Sequence, residues 1–238
     1  MTSPLLKAFL LVFAAISHYV GLKSPNPPPS KEERVHTSHF FEKLIPLLPL
    51  ASRISTIMVL ICECAVILSL YSPTPYSKHI LNNICPYPSP GVHNNIFTLS
   101  PSFLIGIGIM VSSAALRVWC FRTLGSLFTF EVSIKPGHRL IESGPYSYVR
   151  HPSYTGCVFM LLGAALTGFA SGSFINECHI MLTPAQWPIR LWLGVAVFSS
   201  ISLRRRGKFE DERLRQEFGV AWDRYRQAVP HMFIPYLF

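Results

Sequence analysis

The most chemically loaded segment of the chain reads Gly137-His-Arg-Leu-Ile-Glu-Ser-Gly-Pro-Tyr-Ser-Tyr-Val-Arg-His-Pro-Ser-Tyr-Thr-Gly156. Pro152 sits where a helix would start, because proline at the first helical position loses no needed hydrogen bond and already has helical φ. The free N–H groups and positive dipole end of that helix, with His151, Ser153 and Tyr154 around them, make a site for an anionic group such as a carboxylate. Gly144-Pro145 supplies a tight turn before it, and Gly156 and Gly163 let another helix approach closely. A second cluster lies in the Arg-rich tail, where Arg206 and Glu210 stand one helical turn apart. An arginine there can hold a carboxylate in a planar fork, and a glutamate can hold a cation. Each feature has a structural alternative. Arg206 and Glu210 also read as an exposed i,i+4 salt bridge worth ~0.2–0.5 kcal/mol, and His151 as a helix cap. Tyr146, Tyr148 and Tyr154 also read as an interfacial aromatic belt, and the run Arg204 to Arg206 as a stop-transfer flank.

These residues need elements to position them, and composition says what kind. The chain has 238 residues, half of them apolar and 14% charged, with a mean hydropathy of +0.34. That is too apolar for an ordinary soluble domain. A membrane-spanning helix needs roughly 20 mostly apolar residues, and five stretches approach this: 4–22, 52–71, 102–123, 152–170 and 187–203. The sequence therefore predicts an all-α integral membrane protein of about five transmembrane helices, ending in a cytosolic amphipathic helix. In that tail Phe209, Leu214, Phe218, Ala221, Trp222 and Tyr225 recur near a 3.6-residue period against a charged face, and Gly219 is placed to break it in two. The first stretch could be a secretory signal peptide with Lys7 as its basic region. Its apolar core matches a span, however, and no convincing small-residue cleavage site precedes Lys23, so a retained helix is the expectation.

A net charge of +9 would suggest nucleic acid until the charges are placed on the chain. With the tail cytosolic, five spans put 23–51 and 124–151 on the same side, carrying Lys23, Lys31, Arg34, Lys43, Lys135, Arg139 and Arg150. The opposite loops, 72–101 and 171–186, hold only Lys78, so the positive-inside rule selects this orientation, with a lumenal N-terminus. Proline and asparagine crowd 72–101, where no regular structure is expected. The six cysteines show no metal-finger spacing, and no metal site is read from them. Cys62, Cys64, Cys120 and Cys157 fall inside spans, whereas Cys85 and Cys178 lie in lumenal loops whose redox poise permits, without requiring, a disulfide. Glu63 sits halfway along the second span, where an isolated carboxylate costs several kcal/mol; it must be protonated or paired, with Arg117 as a conceivable partner of poorly matched depth. The chain ends Pro-Tyr-Leu-Phe, without a prenylation box.

The first block, Arg-His-Pro-x-Tyr-x-Gly after a Ser-Gly-x-Tyr turn, resembles the signature of the isoprenylcysteine carboxyl methyltransferase family. A second block of that family is matched in the tail by Arg206, Glu210, Asp211, Leu214, Phe218, Gly219, Tyr225, Val229 and Pro235. The resemblance divides the chain into transmembrane helices and loops over 1–124 and a catalytic region over 125–238. It implies an S-adenosylmethionine-dependent carboxyl O-methyltransferase of the endoplasmic reticulum, with its active site facing the cytosol. The cofactor contacts it implies are His138, Arg139, Leu140, Ile141, Tyr146, His151, Pro152, Ser153, Tyr154 and Glu210, with Arg206 facing the substrate carboxylate. It also points to Glu131, where close relatives would carry glutamine. The implied partners are prenylated protein C-termini or small prenylcysteines, together with membrane lipid and no nucleic acid.

The residue types suit such chemistry. A carboxylic acid with a pKa of about 4 is already ionised at neutral pH, so methyl transfer to it needs no strong base. Positioning and desolvation must then supply most of the rate. Rival readings remain open: a membrane sterol reductase using NADPH, whose C-terminal end the tail also resembles; a methyltransferase acting on a phospholipid amine; and a non-catalytic membrane adaptor that keeps the fold. Length argues against the reductase, which resembles a chain with about twice as many spans.

Overall fold

The computed structural model describes residues 3–28, 44, 47–130 and 139–235, and among these it contains helices and no strand. In chain order the helices are α1 (Pro4–Leu22), α2 (Leu48–Tyr71), α3 (Pro75–Ile84), α4 (Val92–Asn95), α5 (Pro101–Leu124), α6 (Pro152–Gly168), α7 (Phe174–Glu177), α8 (Gln186–Phe218) and α9 (Val220–Ala228). Proline opens α1, α2, α3, α5 and α6 within the first two positions, where its missing N–H costs nothing.

Among the described residues three helices, Pro4–Leu22, Leu48–Tyr71 and Pro101–Leu127, are long and apolar enough to cross a membrane. The other two predicted stretches are also helical but fit less simply. Helix α6 has 17 residues, about 25 Å at 1.5 Å per residue, against a hydrocarbon core of about 30 Å. The stretch 187–203 is only the first half of α8, whose 33 residues make a rod of about 50 Å. Its charged second half runs on past the apolar bundle, and Gly219, at φ 50°, ends it and turns the chain into α9.

The 72–101 connection departs from the expectation of no regular structure. Helix α3 forms there because Pro75 begins it and Thr74 and Ser77 close a capping box, with the Thr74 N–H donating to Ser77 Oγ at 2.9 Å. Two otherwise orphaned donors are thereby satisfied. The prolines punctuate this connection without excluding helix between them.

In the core, Leu11, Val66, Ile67, Phe103, Met110 and Met160 are wholly buried. Helices α5 and α6 meet at backbone distance: a Cβ on Gly163 would lie 2.8 Å from the Gly106 carbonyl oxygen, and one on Gly156 2.8 Å from Arg117 Cγ. The expected close approach at Gly156 and Gly163 is therefore made, with α5 as the partner.

One end of the bundle is closed by charge and by sulfur. Lys7 is fully buried and its ammonium lies 2.8 Å from Glu63 Oε1. It also donates to the carbonyls of Ile96 at 2.8 Å and Gly172 at 2.7 Å. The second oxygen of Glu63 accepts from the Phe174 N–H at 3.1 Å. Glu63 is thus paired, but with Lys7 and not with Arg117. Arg117 instead donates to the Gly21 carbonyl, and to the carbonyl and hydroxyl of Ser153 at 2.8 and 3.0 Å. The reason is depth: α1 and α2 run antiparallel, so Lys7 near the start of α1 meets Glu63 well along α2, while Arg117 lies near the opposite end of α5. Cys85 and Cys178 form a disulfide with Cα atoms 4.8 Å apart. Beside it, Glu177 accepts from Ser89 Oγ at 2.5 Å and from Asn95 at 3.2 Å.

Breaking a buried ion pair from one side leaves an uncompensated charge, at a cost of ~3–5 kcal/mol. Lys7→Met and Glu63→Leu should each lower the unfolding temperature in detergent by an amount reflecting such a loss. The double variant should recover part of it, because the carbonyls of Ile96 and Gly172 stay unpaired. Single variants as stable as wild type would show that the pair does not hold this end together.

Candidate functional site

The opposite end of the bundle is concave. Its wall begins at the start of α6, where His151 takes the N-cap position but does not cap with its side chain. The imidazole turns to two carboxylates of α8: Nε2 lies 2.9 Å from Asp211 Oδ1, and Nδ1 lies 3.6 Å from Glu210 Oε2. Arg150 Nε completes the grip on Asp211 at 3.1 Å. Burial pushes the Asp211 carboxyl up, but the hydrogen bond and charge of His151 and then the charge of Arg150 outweigh it and hold the carboxyl below its ordinary value.

The end of the described chain straps this corner down. The N–H groups of Arg150 and His151 donate to the carbonyls of His231 and Met232 at 3.0 and 2.8 Å. Arg150 Nη1 donates to Val229 and Pro230 at 2.8 and 2.6 Å, and Thr155 Oγ1 donates to Phe233 at 2.7 Å. Gly207 makes room: a Cβ there would come 3.1 Å from the Phe233 ring. The apolar stripe of the tail is also occupied, since Trp222 and Tyr225 are buried with Val229 against Leu140, Leu214 and Phe218.

Tyr154 joins the two clusters predicted from sequence. Its hydroxyl donates to Glu210 Oε2 at 2.7 Å, its ring stacks on His151 with centroids 5.3 Å apart, and the Arg206 guanidinium lies over it at 5.8 Å. Glu210 is therefore engaged by α6, so an exposed salt bridge along α8 is not the arrangement found. The arginine run also divides: Arg204 and Arg205 are exposed and Arg206 is buried. Tyr146 is buried, its carbonyl accepting from Tyr225 Oη at 2.8 Å. Burial above all, helped by Cys120 and Glu210, holds its phenol well above the ordinary value, so it remains a proton donor. Tyr148 is exposed.

Arg139, Leu140, Ile141, Tyr146, His151, Ser153, Tyr154, Arg206 and Glu210 all border one cleft of about 1600 Å³ counted out to its open mouth. Pro152 is buried at the first position of α6 and does not border it. Glu131 and His138 lie outside the described residues. Away from the polar rim the cleft continues between α6, α8 and the adjoining ends of α1 and α2, past Leu22, Leu48, Pro49, Leu161, Val195 and Ala196. Sequence reasoning missed Arg150 and Asp211 as the hinge of the rim, and Arg117 as the link from Ser153 to α1. Asp211 stands beside Glu210 in the sequence, and that adjacency was the available signal.

Part of the chain matches known proteins. Residues 105–179 match the model of the isoprenylcysteine carboxyl methyltransferase (ICMT) family, which takes in the first block and stops before the tail block. A protein-S-isoprenylcysteine O-methyltransferase of Schizosaccharomyces pombe is 30% identical over 142 residues, covering 55% of this chain and 52% of its own. A probable protein-S-isoprenylcysteine O-methyltransferase of Oryza sativa subsp. indica is 29% identical over 135 residues, covering 56% of this chain and 61% of its own. A Delta(14)-sterol reductase of Mus musculus is 30% identical over 103 residues, 43% of this chain but 20% of its own length. The chain thus spans little more than half the length of the methyltransferases it matches. Over residues 105–179 it is the isoprenylcysteine carboxyl methyltransferase family that the chain resembles.

Proposed function

We propose that the chain moves the methyl group of S-adenosylmethionine onto the C-terminal carboxylate of a prenylated cysteine, at the cytosolic face of the endoplasmic reticulum membrane. The observation that carries this reading is the single cleft with a charged rim and an apolar limb. Its polarity matches a carboxylate on a hydrocarbon tail meeting a charged cofactor. The two relatives named as O-methyltransferases support the same chemistry.

The rim fits the cofactor's ends. Glu210, with its side chain about a third exposed, offers an acceptor for an ammonium, and Arg139 is an exposed cation on the same wall. Leu140, Ile141 and Tyr146 line the side between them. Glu131 and His138 belong to the set by resemblance. S-Adenosylmethionine supplies an electrophilic methyl on a sulfonium. The protein's own part is to orient and to dry the acceptor. Arg206, buried over Tyr154, takes the substrate carboxylate in its planar fork and leaves an oxygen lone pair free. No base is needed, since a carboxylate with a pKa of about 4 is already ionised.

Five spans complete the proposal. Leu191, Val197 and Ile201 of α8 are 69, 61 and 55% exposed, an apolar face suited to lipid. The rim, with the charged half of α8, then faces the cytosol, and the Lys7–Glu63 end faces the lumen. Cysteines introduced singly into 72–101 and at the chain's end should label from opposite sides of sealed vesicles. Labelling from one side would remove this topology.

Two substitutions separate the roles of the rim. Arg206→Lys keeps the charge but loses the fork, and should lower turnover with little change in cofactor affinity. Glu210→Gln should do the reverse, weakening S-adenosylmethionine binding by about 1.5–3 kcal/mol, one charged hydrogen bond. Calorimetry and turnover on farnesylcysteine measure both, and wild-type values for both variants would remove the pair from the site. Transfer to phosphatidylethanolamine alone, or NADPH-dependent sterol reduction, would replace the reaction itself.

A further inference from the structure

Charge on α1 and α2 is unevenly matched between their two ends. The helices carry one carboxylate between them, Glu63, and it is paired with Lys7 at the end away from the rim. At the rim end two cations are held against one ring. Lys23 Nζ, just past the last turn of α1, lies 5.5 Å from the Tyr19 ring centroid, and the Arg53 guanidinium of α2 lies 5.2 Å from the same centroid. Arg53 Nε is buried without an acceptor, and among the described residues neither cation has a carboxylate partner. Tyr19 and Lys23 are exposed on the outside of the bundle.

We propose that Tyr19, Lys23 and Arg53 bind the headgroup of an anionic phospholipid, a phosphodiester with net negative charge, in the leaflet at the rim end. The site depends on membrane insertion and is independent of the reaction in the cleft. Two cations drawn to the same ring repel each other. A phosphate beside them removes that repulsion and accepts from both, in hydrogen bonds strengthened by charge on donor and acceptor. The Tyr19 hydroxyl adds a third donor. Because the ring already restrains both long side chains, less of their conformational freedom is lost when the anion arrives.

Acyl chains have a surface to lie on. Val12 and Ile16 lead back along α1 from Tyr19, and Ile54 and Met58 lead along α2 from Arg53, each more than half exposed. Charge at the bundle's end and hydrocarbon behind it is the order of a phospholipid and not of a free phosphate. In the orientation proposed above this edge meets the cytosolic leaflet, where anionic lipid is concentrated. Interfacial lysines and arginines in general extend towards headgroups of any kind. Here one aromatic ring restrains both, so a single lipid fills the site. Leu22 and Ser52, the sequence neighbours of Lys23 and Arg53, border the cleft, which places the lipid against the outside of that wall.

The test is thermal unfolding of the full chain in dodecylmaltoside micelles doped with dioleoyl phosphatidylserine or dioleoyl phosphatidylcholine. Phosphatidylserine at ten times its dissociation constant should raise the midpoint by about 3–6 °C, saturably, and phosphatidylcholine by no more than about 1 °C. Lys23→Gln combined with Arg53→Gln should abolish the phosphatidylserine shift. Lys23→Gln alone, at an exposed position, should reduce it and serves if the double variant does not fold. Arg204→Gln with Arg205→Gln removes as much charge from the tail and should leave the shift in place. Equal shifts from the two lipids overturn the site, as does a phosphatidylserine shift that survives loss of Lys23 and Arg53 or disappears with the tail arginines. A shift of the same size from inorganic phosphate overturns the lipid as occupant.

Discussion

Asp211 sits where two stretches of sequence roughly sixty residues apart have to meet. One oxygen faces His151 at 2.9 Å and the other accepts from Arg150 at 3.1 Å, and Arg150 reaches on to the carbonyls of Val229 and Pro230. The charged half of α8, the start of α6 and the last described residues therefore form one hydrogen-bonded unit. Inside a protein such bonds are stronger than in water and expensive to leave half made. The orientation of the rim follows from this joint. A fixed His151 ring gives Tyr154 a surface to stack on, Tyr154 holds Glu210, and the same ring is the platform beneath Arg206.

The two ends of the bundle use charge differently. At the Lys7 end all three ammonium hydrogens have acceptors, from Glu63, Ile96 and Gly172. The pair is spent on closure and cross-links α1, α2 and both connections on that side, where the Cys85–Cys178 bond adds a covalent tie. At the other end the charged groups border open space. Between them α5 and α6 touch at glycine, which transmits position with little slack because close-packed interiors deform poorly. A closed end and a tight seam are what allow a cleft to stay open without collapse.

Much of this was legible in the sequence because it is local. Pro152 at a helix start, the break at Gly219, and the close approach at Gly156 and Gly163 each follow from the conformational rules of one residue. Hydrophobic length gave the helices, although α6 and α8 show that length alone does not decide how a helix meets a bilayer. What was missed is non-local or depends on side-chain reach. The partner of Glu63 lies 56 residues away on α1, and nothing in periodicity separates Lys7 from a solvated terminal lysine. Arg117 had two possible vocations, and only the depth of α5 against α1 assigns it to Gly21 and Ser153. The helix α3 was hidden because prolines read as breakers also serve as starters when a Thr74–Ser77 box follows.

The simplest device in the molecule is the register of α8. Trp192, Val195, Ala196, Ser199, Leu203, Arg206, Glu210, Arg213 and Leu214 all border the cleft, and their spacing of three to four residues keeps them on one stripe of a single helix. Along that stripe the residues are mostly apolar up to Leu203 and mostly charged from Arg206, where α8 leaves the apolar bundle. Helix α6 runs antiparallel beside it and presents Ser153 and Tyr154 at the charged end, then Cys157 and Leu161 at the apolar end. A ligand with a carboxylate at one end and hydrocarbon at the other has the same order. Two rods set that order along the cleft in 1.5 Å steps of helix, and the connecting residues Phe128 to Phe130 and Arg139 to Ile141 line its side.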